Sequence, residues 1–178
     1  WYQTIHKPIK YDSIYWGQVI DPDGIRRNLS TERNEKIKNW YGDTINCVDK
    51  LKSGKILDVG SGLGFFLSAI SEKWERHAFD VSEVALSFIE KNMPSVYRHS
   101  NLEDTIDDLG KEYFDVIMCY HVIEHLKNPS SLIDSMNRLL KPGGLLILGA
   151  PNSKSYAGLK FKGNYRLLGN AHLWIPSK

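Results

Sequence analysis

Residues 55–65 read Lys-Ile-Leu-Asp-Val-Gly-Ser-Gly-Leu-Gly-Phe, and no other stretch limits the fold as much. Ile56, Leu57 and Val59 form the short apolar run of a buried parallel strand. Gly60, Ser61, Gly62, Leu63 and Gly64 follow at once. Phe65, Phe66, Leu67, Ala69 and Ile70 then resume at helical spacing. The unit is strand, glycine turn, helix. Glycines at a strand end let a ligand come close to the backbone. A tight turn with no ligand is the competing reading.

The glycine spacing narrows the ligand. A dinucleotide fingerprint wants Gly-x-Gly-x-x-Gly, with pyrophosphate on the helix N-terminus. Here the third glycine, Gly64, comes one position early, and no Lys-Ser/Thr follows to make a Walker loop. Asp58 sits in the strand end, two before Gly60. A carboxylate there suits a cation such as an amino group and repels a pyrophosphate. The pattern points to a nucleoside carrying positive charge.

A second short strand over residues 76–79 ends at Asp80, twenty positions after Gly60. At that distance an acidic residue meets ribose hydroxyls. A carboxylate accepts two hydrogen bonds from a cis-diol. The alternative is a helix N-terminal charge, since Ser82 and Glu83 open the next helix, 82–92.

The remaining pattern alternates strand and helix. Thr31 is an N-cap for a helix to about Leu51, with Ile37, Trp40, Tyr41, Ile45, Val48 and Leu51 on one face. Arg33 in its first turn either reaches a ligand carboxylate or is a solvated charge. A third strand lies near residues 95–98, a fourth over 113–119 and a fifth over 145–150. Asn128-Pro129 opens a helix, and Lys141-Pro142-Gly143-Gly144 is a stop and turn. The expected fold is α/β: a doubly wound, mainly parallel Rossmann-like sheet of order 3-2-1-4-5, with helices on both faces.

Asp58-Val59-Gly60-Ser61-Gly62-Leu63-Gly64 resembles motif I of the class I S-adenosylmethionine methyltransferases. Tyr113 to Cys119 resembles their motif IV, and the helix, Lys-Pro-Gly-Gly turn and strand resemble the segment after it. The resemblance covers about residues 31–152. It implies S-adenosylmethionine as methyl donor and S-adenosylhomocysteine as product. It places Asp58 and the Gly60, Ser61, Gly62 and Gly64 backbone at the methionine end, and Asp80 with Val81 at the ribose. Asn101 and Leu102 fall at the adenine, where the family usually has Asp in place of Asn101. Cys119 and Tyr120 fall near the sulfonium. His121 is the candidate base, set against a histidine that only lines the turn. His121, Glu124 and His125, with the distant His172, also resemble a divalent-ion set of some relatives, although His-x-x-Glu-His is common in relatives without metal. The family's antiparallel strands 6 and 7 are expected to be absent from this chain.

The domain reading is an aromatic cap over residues 1–30, the methyltransferase domain over 31–152 and a tail over 153–178 that joins the acceptor site. The cap and tail are expected to shape the acceptor pocket. The strand 5 edge is left for a further segment or an oligomer partner. The absence of Asn/Asp-Pro-Pro-Tyr after strand 4 argues against an amine acceptor, so the acceptor is expected to be a hydroxyl of a small molecule or glycan, with a carbon acceptor as the alternative. A binding protein on the same fold and a nicotinamide oxidoreductase are the rival readings. Net charge of +2 gives no case for nucleic acid or an anionic membrane surface. Two cysteines, Cys47 and Cys119, are too few for a disulfide framework, which predicts a reducing cytoplasm.

Overall fold

The structure, a computed structural model, describes residues 10–17, 19–20, 26–28, 37–161 and 173. A short helix α1 (Ser13–Gly17) precedes two paired antiparallel strands, β1 (Val19–Ile20) and β2 (Arg26–Arg27). A π-helical turn, Ile37–Tyr41, runs into α2 (Gly42–Asp49). These are the described part of the helix expected from Thr31; Thr31 and Arg33 lie outside the described residues.

The alternating part follows. β3 (Lys55–Val59) leads to α3 (Phe65–Ala69), β4 (Glu75–Phe79) to α4 (Glu83–Asn92), and β5 (Tyr97–His99) to α5 (Leu102–Leu109). β6 (Phe114–Tyr120), α6 (Pro129–Leu139), β7 (Leu140–Gly149) and α7 (Tyr156–Phe161) complete it. The five parallel strands lie in the order β5-β4-β3-β6-β7, the expected 3-2-1-4-5.

Both sheet faces are covered, which is why the central strands read as near-continuous apolar runs. Ile56, Ala78, Val116 and Met118 pack with Phe66 and Leu67 of α3 and Ile89 of α4. Leu57, Val59, Ile117 and Cys119 pack with Ile106 of α5 and Met136 and Leu139 of α6. Each fully buried aliphatic chain contributes about 1.5–3 kcal/mol. The chain after β3 crosses to one side and the chain after β6 to the other. A crevice therefore opens at their C-terminal ends, the switch point of the sheet.

Two local departures have physical reasons. α3 stops after Ala69, short of the helical spacing that included Ile70, because Ile70 is extended (φ −78°, ψ 135°). The buried Arg76 guanidinium donates to the carbonyls of Leu67 and Ile70 (both 3.3 Å) and to Ser95 Oγ (2.9 Å). It satisfies the acceptors that a longer helix would have used. The Lys141–Gly144 turn is an irregularity within β7: Phe114 pairs with Leu140, but Val116 pairs with Leu145. Lys141 Nζ donates to both Asp115 oxygens (2.8 and 2.9 Å) and pins the bulge. α5 was not expected from the sequence. β7 is one of the two edge strands of this sheet, and its Leu145 and Leu148 are exposed.

A histidine pair crosses from β4 to β5. His77 Nδ1 lies 2.9 Å from His99 Nε2, and His77 Nε2 lies 2.9 Å from Glu75 Oε1. A carboxylate only accepts, so His77 Nε2 donates to Glu75; with both rings neutral, His99 Nε2–H then donates to His77. Burial lowers the proton affinity of both rings, and the neighbouring His77 lowers that of His99 further, to a pKa of about 4. The unfolded chain takes up the proton near pH 6.5, the folded chain only near 4. The stability held by the neutral pair is therefore present above about pH 6.5 and lost as pH falls toward 4. Urea unfolding of the wild type and His99→Gln isolates this contribution. The stability difference between them is expected to shrink by about 1–2 kcal/mol from pH 7 to 4.5, after screening of a partly exposed ring. A pH-independent difference contradicts it.

Candidate ligand-binding site

The crevice is a cavity of about 600 Å³. One wall is the glycine turn after β3. Gly60 (φ 76°) and Gly62 (φ 52°) both hold left-handed backbone. A Cβ at Gly60 would collide with Val122 Cγ2 on the facing wall, and one at Gly62 would lie 2.9 Å from the Trp16 ring. Both glycines are thus required by conformation and by close approach. The Gly60 and Ser61 N–H groups donate to the Phe79 carbonyl (2.8 and 3.0 Å), tying the turn to the end of β4. Ser61 is buried and lines the cavity, and its Oγ has no hydrogen-bond partner among the described residues.

Asp80 is the centre of the site. Its Oδ2 accepts from Gly62 N–H (2.7 Å) and its Oδ1 from Ser82 N–H (2.8 Å). It is buried, and burial raises its pKa against the lowering effect of those backbone bonds. Val81 beside it is 69% exposed and lines the cavity, an apolar surface held open to the crevice. Asn101 and Leu102 line it farther on. Asn101 is the N-cap of α5, its side-chain oxygen accepting from Glu103 N–H (2.9 Å). That oxygen keeps a second lone pair.

The facing wall follows β6. Tyr120 lines the cavity with its ring against Gly149, and its hydroxyl is 2.7 Å from Thr44 Oγ1. Tyr41 packs beside it, ring centroids 5.8 Å apart. His121 has φ 56°, unusual for a residue with a Cβ, and its N–H donates to the Gly149 carbonyl (2.8 Å). Its Nδ1 lies 3.1 Å from Glu124 Oε1, and the Glu124 side chain is 0% exposed. With the carboxylate ionised, Nδ1 is the donor and Nε2 keeps a lone pair. Leu173 N–H donates to the Glu124 carbonyl (2.7 Å), so the chain returns to this wall near its end.

Three expected site residues stand behind the wall. Asp58, Gly64 and Cys119 do not line the cavity. Asp58 lies inside β3, flanked in register by Ala78 and Met118, and is 2% exposed. Burial, then the Asp80 charge, holds its carboxyl well above the usual range. Gly64 accommodates Ile89 of α4 and Met93, which caps its C-terminus. Burial, then the charges of Asp58 and Glu124, pushes the Cys119 thiol up to about 12, so it is no nucleophile. His125 lines the cavity, whereas His172 lies outside the described residues. Among the described residues no group of three or more His, Cys, Asp and Glu side chains is placed to hold a metal ion. No described helix is long and apolar enough to cross a membrane.

The sequence reading missed several lining groups: Phe79, Glu103, Asn128, Ser131 and Ser135, with Tyr41 assigned only to a core stripe. Ser135 Oγ and Arg138 both donate to the Glu103 carboxylate (2.8 Å each), so that charge is already paired. No Lys or Arg is among the described residues lining the cavity. Its strongest fixed groups are therefore acceptors and carboxylates, with aromatic faces around them. Such a set receives hydroxyls and positive charge.

Residues 27–178 match the family described as methyltransferase domain. The chain is 31% identical over 127 residues to a ubiquinone biosynthesis O-methyltransferase of Pseudomonas syringae pv. tomato, covering 68% of this chain and 53% of that protein. It is 30% identical over 142 residues to the protein of that name in Psychrobacter arcticus, covering 66% and 54%. The chain thus spans about half the length of the curated relatives it matches. A solved S-adenosylmethionine dependent methyltransferase from Mesorhizobium loti has the same fold, with TM-score 0.51 and 19% identity over 61% of this chain and 51% of that one. The YcgJ protein of Bacillus subtilis superposes with TM-score 0.55 and 23% identity, covering 76% and 61%.

Proposed function

The chain belongs to the methyltransferase-domain family, and from that premise we propose that it binds S-adenosylmethionine in the crevice and directs the methyl group to a small-molecule hydroxyl. The observation that carries this reading is the Asp80 carboxylate, fixed between Gly62 and Ser82 in a cavity whose described lining has no Lys or Arg. The donor fits these residues. Asp80 keeps lone pairs for a ribose diol. Val81, Asn101 and Leu102 offer an apolar and hydrogen-bonding edge for a base. Ser61 Oγ supplies a buried polar group beside the turn.

S-adenosylmethionine brings a methyl group on a sulfonium, an electrophile with an excellent leaving group. The chain's share is to orient, to exclude water and to take one proton. Tyr41 and Tyr120 present aromatic faces beside the turn, which suits a sulfonium. His121 is the proposed base: with Nδ1–H held by Glu124, the Nε2 lone pair receives the acceptor's hydroxyl proton. The buried Glu124 carboxylate then stabilises the imidazolium.

The curated relatives are named for O-methylation in ubiquinone biosynthesis, which favours a phenolic hydroxyl among small-molecule acceptors. A glycan hydroxyl is the second acceptor class. The test is transfer of label from methyl-labelled S-adenosylmethionine to a panel of ortho-diphenols and simple sugars. Labelled methyl ethers of the diphenols are the expected products. Uptake only into acceptor carbon or nitrogen would overturn the hydroxyl reading.

A further inference from the structure

Trp16 touches both arms of the Asp80 clamp. Its ring lies against Gly62, whose N–H is held by Asp80 Oδ2. Its Nε1–H donates to Ser82 Oγ (3.1 Å), and the Ser82 N–H is held by Asp80 Oδ1. The Ser82 hydroxyl donates in turn to the Tyr11 carbonyl (2.6 Å) and also accepts from Ala85 N–H (3.3 Å). One donor and two lone pairs are thereby all used. A single hydroxyl fastens the segment at Tyr11 and again at Trp16, and caps α4 as well. Tyr11, Tyr15 and Trp16 pack edge to face, with centroids 5.0 and 4.9 Å apart, which stiffens the segment between the two fastenings. All three rings line the cavity.

The aromatic cap was expected to shape the acceptor pocket. The described part instead meets the turn and strand end that the proposed function gives to the nucleoside. From this geometry we infer that Trp16 is a donor-retaining residue: latched by Ser82, it closes the nucleoside end of the crevice and sets the rate at which the nucleoside leaves. This inference rests on the S-adenosylmethionine reading. The family motifs assign Asp80 and the glycines, and they assign nothing to Trp16 or to the Ser82 hydroxyl.

The experiment is a chase of tritiated S-adenosylhomocysteine from the full chain with excess unlabelled compound, for wild type, Trp16→Phe, Trp16→Ala and Ser82→Ala. Trp16→Phe keeps a ring and loses the donor, so release is expected about threefold faster. Ser82→Ala unfastens both contacts and is expected to match or exceed it. Trp16→Ala loses ring and donor, and release is expected about tenfold faster or more, with an association rate no lower than wild type. A merely structural loss would reduce the fraction of protein that binds and leave the release rate of that fraction unmoved. Circular dichroism of each variant establishes that it is folded, and Trp16→Phe keeps the test intact if Trp16→Ala is not. Wild-type release rates in Trp16→Phe and Ser82→Ala would overturn the latch while leaving the donor reading standing. A wild type that takes up no S-adenosylhomocysteine would overturn both.

Discussion

Asp80→Ala is expected to weaken S-adenosylhomocysteine binding by on the order of 100-fold or more, the largest loss of any single substitution in the glycine wall. The carboxylate holds Gly62 N–H at 2.7 Å and Ser82 N–H at 2.8 Å, so it sets the spacing between the glycine turn and the start of α4. Charge-assisted bonds of this kind contribute about 1.5–3 kcal/mol each, and a ribose diol would add its own. Ala removes all of them and leaves two backbone donors unpaired in a buried place. Asp80→Asn is expected to behave nearly as badly, since its amide nitrogen faces one of those N–H donors. Removing the Asp80 charge also removes one cause of the raised Asp58 pKa, so Asp58 should ionise more readily in the variant. Calorimetric titration reads the loss. An affinity within about threefold of wild type, against the roughly 100-fold expected, would contradict the clamp.

His121→Asn is expected to lower kcat by about 10²–10⁴-fold while donor affinity changes little. Asn tolerates left-handed backbone, so the φ of 56° at this position can be kept. The lesion is then one of chemistry and not of folding. Glu124→Gln is expected to fall between, because its amide oxygen still accepts from Nδ1–H but no longer carries charge to stabilise an imidazolium. Label transfer to an ortho-diphenol, run beside S-adenosylhomocysteine binding, separates the two effects. Unchanged turnover in His121→Asn would remove the histidine from the proton path.

The sheet was legible because its strands are buried on both faces. Ile56, Leu57 and Val59, and Val116 to Cys119, are apolar runs bounded by turns, as a parallel, helix-covered sheet needs. The two ligand-facing features, the glycine turn and Asp80, were legible because a fixed backbone spacing joins them. The missed parts depend on contacts between distant residues. α5 is the exception: Leu102, Ile106 and Leu109 keep helical spacing, and Asn101 with Glu103 and Asp104 forms a usable N-terminal signal, so this short helix was legible and was overlooked. Nothing local marks Arg76 as the cap that ends α3, because its acceptors lie six and nine residues earlier. Asp58 follows the family pattern, yet strand alternation turns it behind the wall toward the layer that holds Tyr41. Glu124 resembled part of a divalent-ion set of some relatives, beside the reading of a site without metal. Its bond to His121 Nδ1 makes it a partner that orients the ring. The placement of the N-terminal helix needed Ser82, 66 residues after Trp16 in sequence, to become visible.

One titration bears most directly on the central claim, that this crevice holds a cationic nucleoside donor and not a dinucleotide. S-adenosylhomocysteine and NAD are titrated separately into the same protein. The expected result is a single saturable site for S-adenosylhomocysteine, lost in Asp80→Ala, with no heat from NAD. Saturable NAD binding with none for S-adenosylhomocysteine at millimolar concentration would contradict it.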